Sequence, residues 1–167
     1  MKKSIYILLA VALLSFGCNK EGEEPAKNRT PESSSGPIDP KSLVDANSEA
    51  LLLFDEIAGQ APQPGIPISV KTPNFMVKGW AVDPAAKVPA GGVIVHVEDK
   101  DFVANYGAPR PDVAANLKNP DYVKTGFNVI IDSSAIGKGK HTLIFRVVTP
   151  DRKSYYQQKQ TYDVVVE

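Results

Sequence analysis

From Ile66 to Val166 the chain is divided into short apolar runs that alternate with period two, each ending at a turn residue. Ile66, Ile68 and Val70 alternate until Thr72-Pro73-Asn74, Phe75 to Val82 forms a second run, and Pro84 to Gly92 is a Pro/Ala/Gly loop. Val93, Val95 and Val97 alternate with Ile94, His96 and Glu98, and Phe102 to Tyr106 stops at Gly107. Phe127, Val129 and Ile131 stop at Asp132-Ser133-Ser134, and Leu143, Phe145 and Val147 face away from Ile144, Arg146 and Val148. After Pro150 to Lys153, Tyr162, Val164 and Val166 close the series. Successive strand side chains point to opposite faces, so each run buries one face and wets the other. About seven such segments in roughly 100 residues predict an all-β sandwich over residues 61–167. A parallel α/β sheet would need crossover helices, for which the spacing leaves no room.

Residues 48–60 are less determinate. Ser48 suits a helix N-cap, Glu49 its first turn and Gly59 its stop, and between them lie Ala50, Leu51, Leu52, Leu53, Phe54, Ile57 and Ala58. A short helix on the domain edge is the main expectation. A strand through Leu51 to Phe54 is the alternative, because so apolar a run has no readable period.

The N-terminal third is organised differently. Residues 1–17 hold Lys2 and Lys3, no acid, and an apolar run from Ile5 to Leu14, the pattern of a secretory signal. A helix of about 10 to 12 residues spans roughly 18 Å, short of the ~30 Å hydrocarbon core. Gly17-Cys18 directly after this run resembles the lipobox of bacterial lipoproteins, which implies acylation of Cys18, the single cysteine of the chain. The family usually has Leu three places before the Cys; here that place is Ser15, with Leu14 one further back and Phe16 following. Asn19 in place of Asp after the lipidated residue implies delivery to the outer membrane. Lys20-Glu21-Gly22-Glu23-Glu24 is similar to acidic tags that send some lipoproteins to the cell surface, and equally fits a solvated linker. Residues 18–47, rich in Glu, Pro, Ser and Lys, bury too little apolar surface to offset ordering entropy and read as a tether. Its rms reach is roughly 30 Å.

Gly79-Trp80-Ala81-Val82-Asp83, Tyr106-Gly107-Ala108-Pro109-Arg110-Pro111-Asp112-Val113-Ala114, Gly126-Phe127 and Gly139-Lys140-His141-Thr142-Leu143 together resemble a bacterial immunoglobulin-like domain. The resemblance runs from about Ile66 to Val166, with Arg-Pro-Asp-Val its most specific stretch, and implies a sandwich with a spacer or recognition role. Where the family has an Asp-Gly turn after the third strand, this chain has Asp99-Lys100-Asp101.

Pro109 and Pro111 fix φ on either side of Arg110, presenting its guanidinium from a stiff segment. Asp112 is placed to cap a helical turn over Val113 to Leu117 and to pair with Arg110. Such a loop closes one end of a sandwich. The same residues offer a contact surface for a glycan or carboxylate, built from Trp80, Tyr106, Arg110, Asp112 and Tyr122. Trp80 reads first as strand packing and secondly as a sugar platform. Tyr155-Tyr156 should place one ring outward, in a cross-strand pair.

Chemistry beyond binding finds little material. With one Cys and two His there is no multi-Cys metal site, and neither His96 nor His141 lies in a nucleophile or H-x-x-x-H motif. Glu98, Asp99 and Asp101 could offer oxygens to calcium, but Lys100 sits among them. No cofactor is expected. The 19 Lys+Arg balance 19 Asp+Glu, which argues against nucleic acid. That zero sums a basic signal, four bases against seven acids in 19–49, and 13 against 12 from Ala50 onward. The expected protein is a non-enzymatic outer-membrane lipoprotein, attached through Cys18, whose sandwich binds an envelope protein or polysaccharide. The alternative is a passive spacer or accessory subunit. If the acidic tag directs surface display, protease added to intact cells removes the domain; an untouched protein argues for the inner face.

Overall fold

A computed structural model describes residues 36–167. The expected signal, Cys18 and most of the tether lie outside them. The strands are β1 (Val44–Asp45), β2 (Leu51–Ile57), β3 (Ile68–Val70), β4 (Asn74–Asp83), β5 (Val88–Pro89) and β6 (Gly92–Val97). There follow β7 (Lys100–Val103), β8 (Asn105–Ala108), β9 (Gly126–Asp132), β10 (Gly139–Val148), β11 (Ser154–Gln157) and β12 (Tyr162–Val166). Two short helices, α1 (Pro111–Asn116) and α2 (Ser133–Ile136), interrupt them.

The strands form two sheets. In one, β2, β4, β9 and β8 lie side by side, with β5 added to the end of β4. In the other, β10 pairs with β6 on one side and with β11 and then β12 on the other, while β7 extends β6. Taking β11 and β12 as one strand broken at 158–161, the seven principal strands have the A-B-E-D and C-F-G orders of an immunoglobulin-like sandwich. The inner faces are the alternating residues that the sequence marks: Val93, Val95 and Val97 oppose Val77, Val129 and Ile131 across the core, with Leu143, Phe145 and Val147 beside them.

Three segments differ from expectation. The leucine-rich segment is the strand β2, not a helix, because Leu52, Phe54 and Ile57 can enter the core while the strand is paired to β4. Phe54 lies 4.3 Å from Phe145 and 5.0 Å from Tyr162 between ring centroids, and edge-on to Phe127 at 6.2 Å. Phe102 to Tyr106 is two strands rather than one. The chain bends at Ala104, so that β7 belongs to one sheet and β8 to the other. Packing on the sandwich also begins before residue 48. Ile38 rests on Gly92, Arg152 donates to the Gly36 carbonyl, and β1 pairs in parallel with β11.

The sheets are joined by a polar contact as well as by the core. The Tyr156 hydroxyl donates to Asp83 Oδ2 at 3.0 Å, and Asp83 Oδ1 accepts from the Ala85 and Ala86 amides at 2.9 Å each. Asp83 is 2% exposed. Burial, and then the bond to Asp83, push the Tyr156 hydroxyl up to about 12. A phenol held neutral in the fold contributes fully below its ordinary value of about 10, and that contribution is lost as pH rises to about 12. Tyr156→Phe should therefore cost about 1–3 kcal/mol at neutral pH by leaving the buried oxygen unpaired. Urea unfolding from pH 8 to 12 should show an alkaline fall in the wild type that is smaller in the variant, where only Tyr106 and Tyr162 keep raised hydroxyls.

Candidate functional site

The Tyr106–Ala114 motif leaves β8, turns through Pro109-Arg110-Pro111 and enters α1 with Pro111 in its first turn. Arg110 occupies the residue before the helix at φ −138°, and its carbonyl accepts from the Val113 and Ala114 amides. Asp112 makes no capping bond. Its carboxylate instead turns back to Arg110, with Nε to Oδ1 at 2.9 Å and Nη2 to Oδ2 at 2.7 Å. A second carboxylate comes from β2, where Arg110 Nη1 donates to Asp55 Oδ2 at 2.7 Å. Asp55 stands at the register shift between Phe54 and Glu56, and such a bulge re-aims a side chain. The Arg110 bond holds the Asp112 carboxyl down at about 2, and the Asp112 bond raises the guanidinium in turn. Arg110 is thus enclosed by two protein carboxylates and has no fork left for a third.

The aromatic candidates are placed by the same loop. Trp80 and Tyr122, 8% and 7% exposed, pack with Val82 and Val113 in a small second core on the outer face of the β4 sheet. Trp80 is therefore a packing residue and presents no open ring for a sugar. The Tyr106 hydroxyl donates to the Ala81 carbonyl at 2.6 Å and accepts from the Ala90 amide at 2.9 Å, tying β8 to β4 and to the link between β5 and β6. Burial pushes its pKa well above that of a free tyrosine.

What this scaffold leaves open is a groove beside the second core, about 450 Å³ in volume. Leu51 and Leu117 supply its exposed apolar surface above the buried Val82 and Tyr122, and Lys87 and Lys118 its cations. Both lysines have left-handed backbones, φ 57° and 51°, at turn positions where Gly or Asn is the easier residue. The Asn119 side-chain amide donates to the Lys87 carbonyl at 3.0 Å and fastens the two loops together. Of the residues expected to form a contact surface, Tyr122 alone lines this groove. The lysines were missed because a lone Lys in a polar loop gives no sequence signal; its backbone conformation does.

The histidines lie elsewhere. His96 Nδ1 is 2.7 Å from Asp101 Oδ1, which also accepts from Arg146 at 3.2 Å. His141, 6% exposed, faces Glu98 Oε1 at 2.7 Å and the Gly137 carbonyl at 3.0 Å. Glu98 and Asp101 thus engage different histidines, while Asp99 lies 3.6 Å from the Lys100 ammonium. These three acids do not converge on one cation position.

No protein-family model matches the chain, and no characterised protein matches it in sequence. Among solved structures it is similar to an endo-β-1,4-mannanase from Thermotoga petrophila, at 14% identity and a TM-score of 0.44. That likeness covers 71% of this chain and only 20% of the mannanase chain. It is also similar to the major subunit of the type I aggregative adherence fimbriae of Escherichia coli, at 13% identity and a TM-score of 0.29. There the likeness covers 74% of this chain and 99% of the other.

Trp80→Ala should destabilise the domain by about 3–5 kcal/mol in urea unfolding, as expected of a buried aromatic side chain. Asp112→Asn should lower the melting temperature at neutral pH. The carboxylate is the form that Arg110 holds, so its contribution is complete above about pH 4 and is lost as pH falls through about 2. Melting curves of wild type and variant should converge at that acid limit.

Proposed function

We propose that the chain is a lipid-anchored bacterial envelope protein whose immunoglobulin-like sandwich is a non-catalytic recognition module. Its ligand is a glycan or another envelope protein. The observation that carries recognition is the groove between β2 and the α1 loop. Its volume of about 450 Å³ falls within the usual range of ligand clefts, roughly 300–1,000 Å³, and it joins an apolar surface to two cations. Each histidine is held by a carboxylate away from the groove, His96 by Asp101 and His141 by Glu98. Anchoring rests on Lys2, Lys3, the apolar run and Gly17-Cys18. Two or more acyl chains at about 0.8 kcal/mol per buried CH₂ give durable attachment.

A passive spacer is the second reading, favoured by one feature. The Gly36 contacts lie at the end of the sandwich that holds Gly91 and Arg152, whereas Glu167 is bonded to Val70 at the opposite end. The domain would therefore lengthen whatever it is attached to.

The two readings separate in a cross-linking pull-down of the tagged protein from its own envelope, run beside a glycan array. Recognition through the groove is expected to be lost in Leu117→Asp/Lys118→Glu, whose side chains are exposed, with the melting temperature kept. Capture of neither glycan nor protein by the wild type would leave the spacer. Cys18→Ser should move the protein from the membrane to the soluble fraction, and continued membrane attachment would sink the anchoring proposal.

A further inference from the structure

The groove beside the second core carries two cations with no acid to neutralise them. Among the described residues neither Lys87 nor Lys118 meets a carboxylate, whereas Lys78 and Lys140 meet theirs at 2.9 Å. No acid lines the groove. Leu51, on the edge strand β2, and Leu117 stand 39% and 36% exposed beside the two ammoniums. Both cations sit on one frame. The Asn119 side chain donates to the Lys87 carbonyl, and its oxygen accepts from the Asp121 amide at 3.0 Å, which secures the turn that holds Lys118.

These bonds restrict what the groove can recognise. Sugar hydroxyls are matched by side chains that both donate and accept, and by open aromatic faces. Asn119 is the one amide side chain in the lining, and both its nitrogen and its oxygen are bonded within the protein. Tyr122 is buried. The exposed side chains that remain are ammoniums, which only donate, and aliphatic carbons. A carboxylate next to an aliphatic side chain finds a partner there for each of its parts.

We propose that the groove takes an acidic, aliphatic segment of a protein partner, with an aliphatic side chain against Leu51 and Leu117 and flanking carboxylates on Lys87 and Lys118. This rests on the groove being the recognition site, and it selects a protein over a glycan as the ligand. Exposed ion pairs are weak singly and are screened by salt. The aliphatic anchor therefore supplies most of the affinity, and the lysines choose the partner.

Carbodiimide coupling in the native envelope tests this, because the reagent joins an ammonium to a carboxylate in contact with it and leaves no spacer. Full-length protein in its own membranes should give adducts at Lys87 or Lys118, each to an Asp or Glu with an aliphatic residue close by in the partner's sequence. Leu117→Ser keeps both lysines and should lower the yield at least about tenfold, with the domain still folded by circular dichroism. Separately, a peptide of four glutamates around one leucine, titrated at low salt, should shift the amide resonances of Leu117 to Asn119. Its glutamine counterpart should bind at least about tenfold more weakly. So should the acidic peptide to Lys87→Asn/Lys118→Asn, in which Asn suits the left-handed backbone at both positions. Absence of the adducts, adducts to a uronic-acid glycan, or an acidic peptide no stronger than its glutamine counterpart each overturn the acidic segment. Recognition through the groove falls only if the wild type also captures nothing in the pull-down.

Discussion

Phe54 is the contact on which the arrangement of the edge depends. It belongs to the β2–β4 sheet, yet its ring lies 4.3 Å from Phe145 and 5.0 Å from Tyr162 in the facing sheet. Aromatic pairs at these separations add roughly 0.5–1.5 kcal/mol each beyond the area they bury. With Phe54 fixed inward, Leu52 must also point inward and Leu51 and Leu53 outward. Close approach of β2 follows, and Gly79 is the residue that permits it. A Cβ there would collide with the Leu53 carbonyl and lie 2.9 Å from Phe127 Cε1. The bulge after Phe54 then releases Asp55 toward Arg110, so the packing of one ring determines the partner of a charge more than fifty residues away.

Legibility in the sequence followed the locality of the cause. Val93, Val95 and Val97, or Leu143, Phe145 and Val147, alternate because each strand is buried on one face, and that pattern is visible without any knowledge of the partner strand. β2 hid its period because its solvent side is leucine too. β1 left no trace, since two residues in a Pro/Ser-rich stretch become a strand only by pairing with Ser154 and Tyr155, over a hundred positions on. The bend at Ala104 was equally silent: two short strands in different sheets read as one run.

The site shows the same division. The proximity of Arg110 and Asp112 was written in their spacing, and so was a stiff loop between two prolines. The second carboxylate was not, because Asp55 reaches Arg110 through a bulge in a distant strand. Trp80 and Tyr122 were legible as aromatic and placed as core only once α1 folded over the outer face of the sheet. The motif's chemistry is accordingly turned inward. It builds the wall of a groove whose rim is set by two lysines.

The segments before and after β2 both lie parallel to the final strand: β1 runs with β11 and β3 with β12. Gly36 leaves from one end of that seam and Glu167 from the other. Tension between these two points would drag neighbouring strands past one another lengthwise. The hydrogen bonds across each seam would then stretch together instead of opening one by one from an end. By geometry the sandwich resists a pull along these seams more than a force that peels β2 sideways.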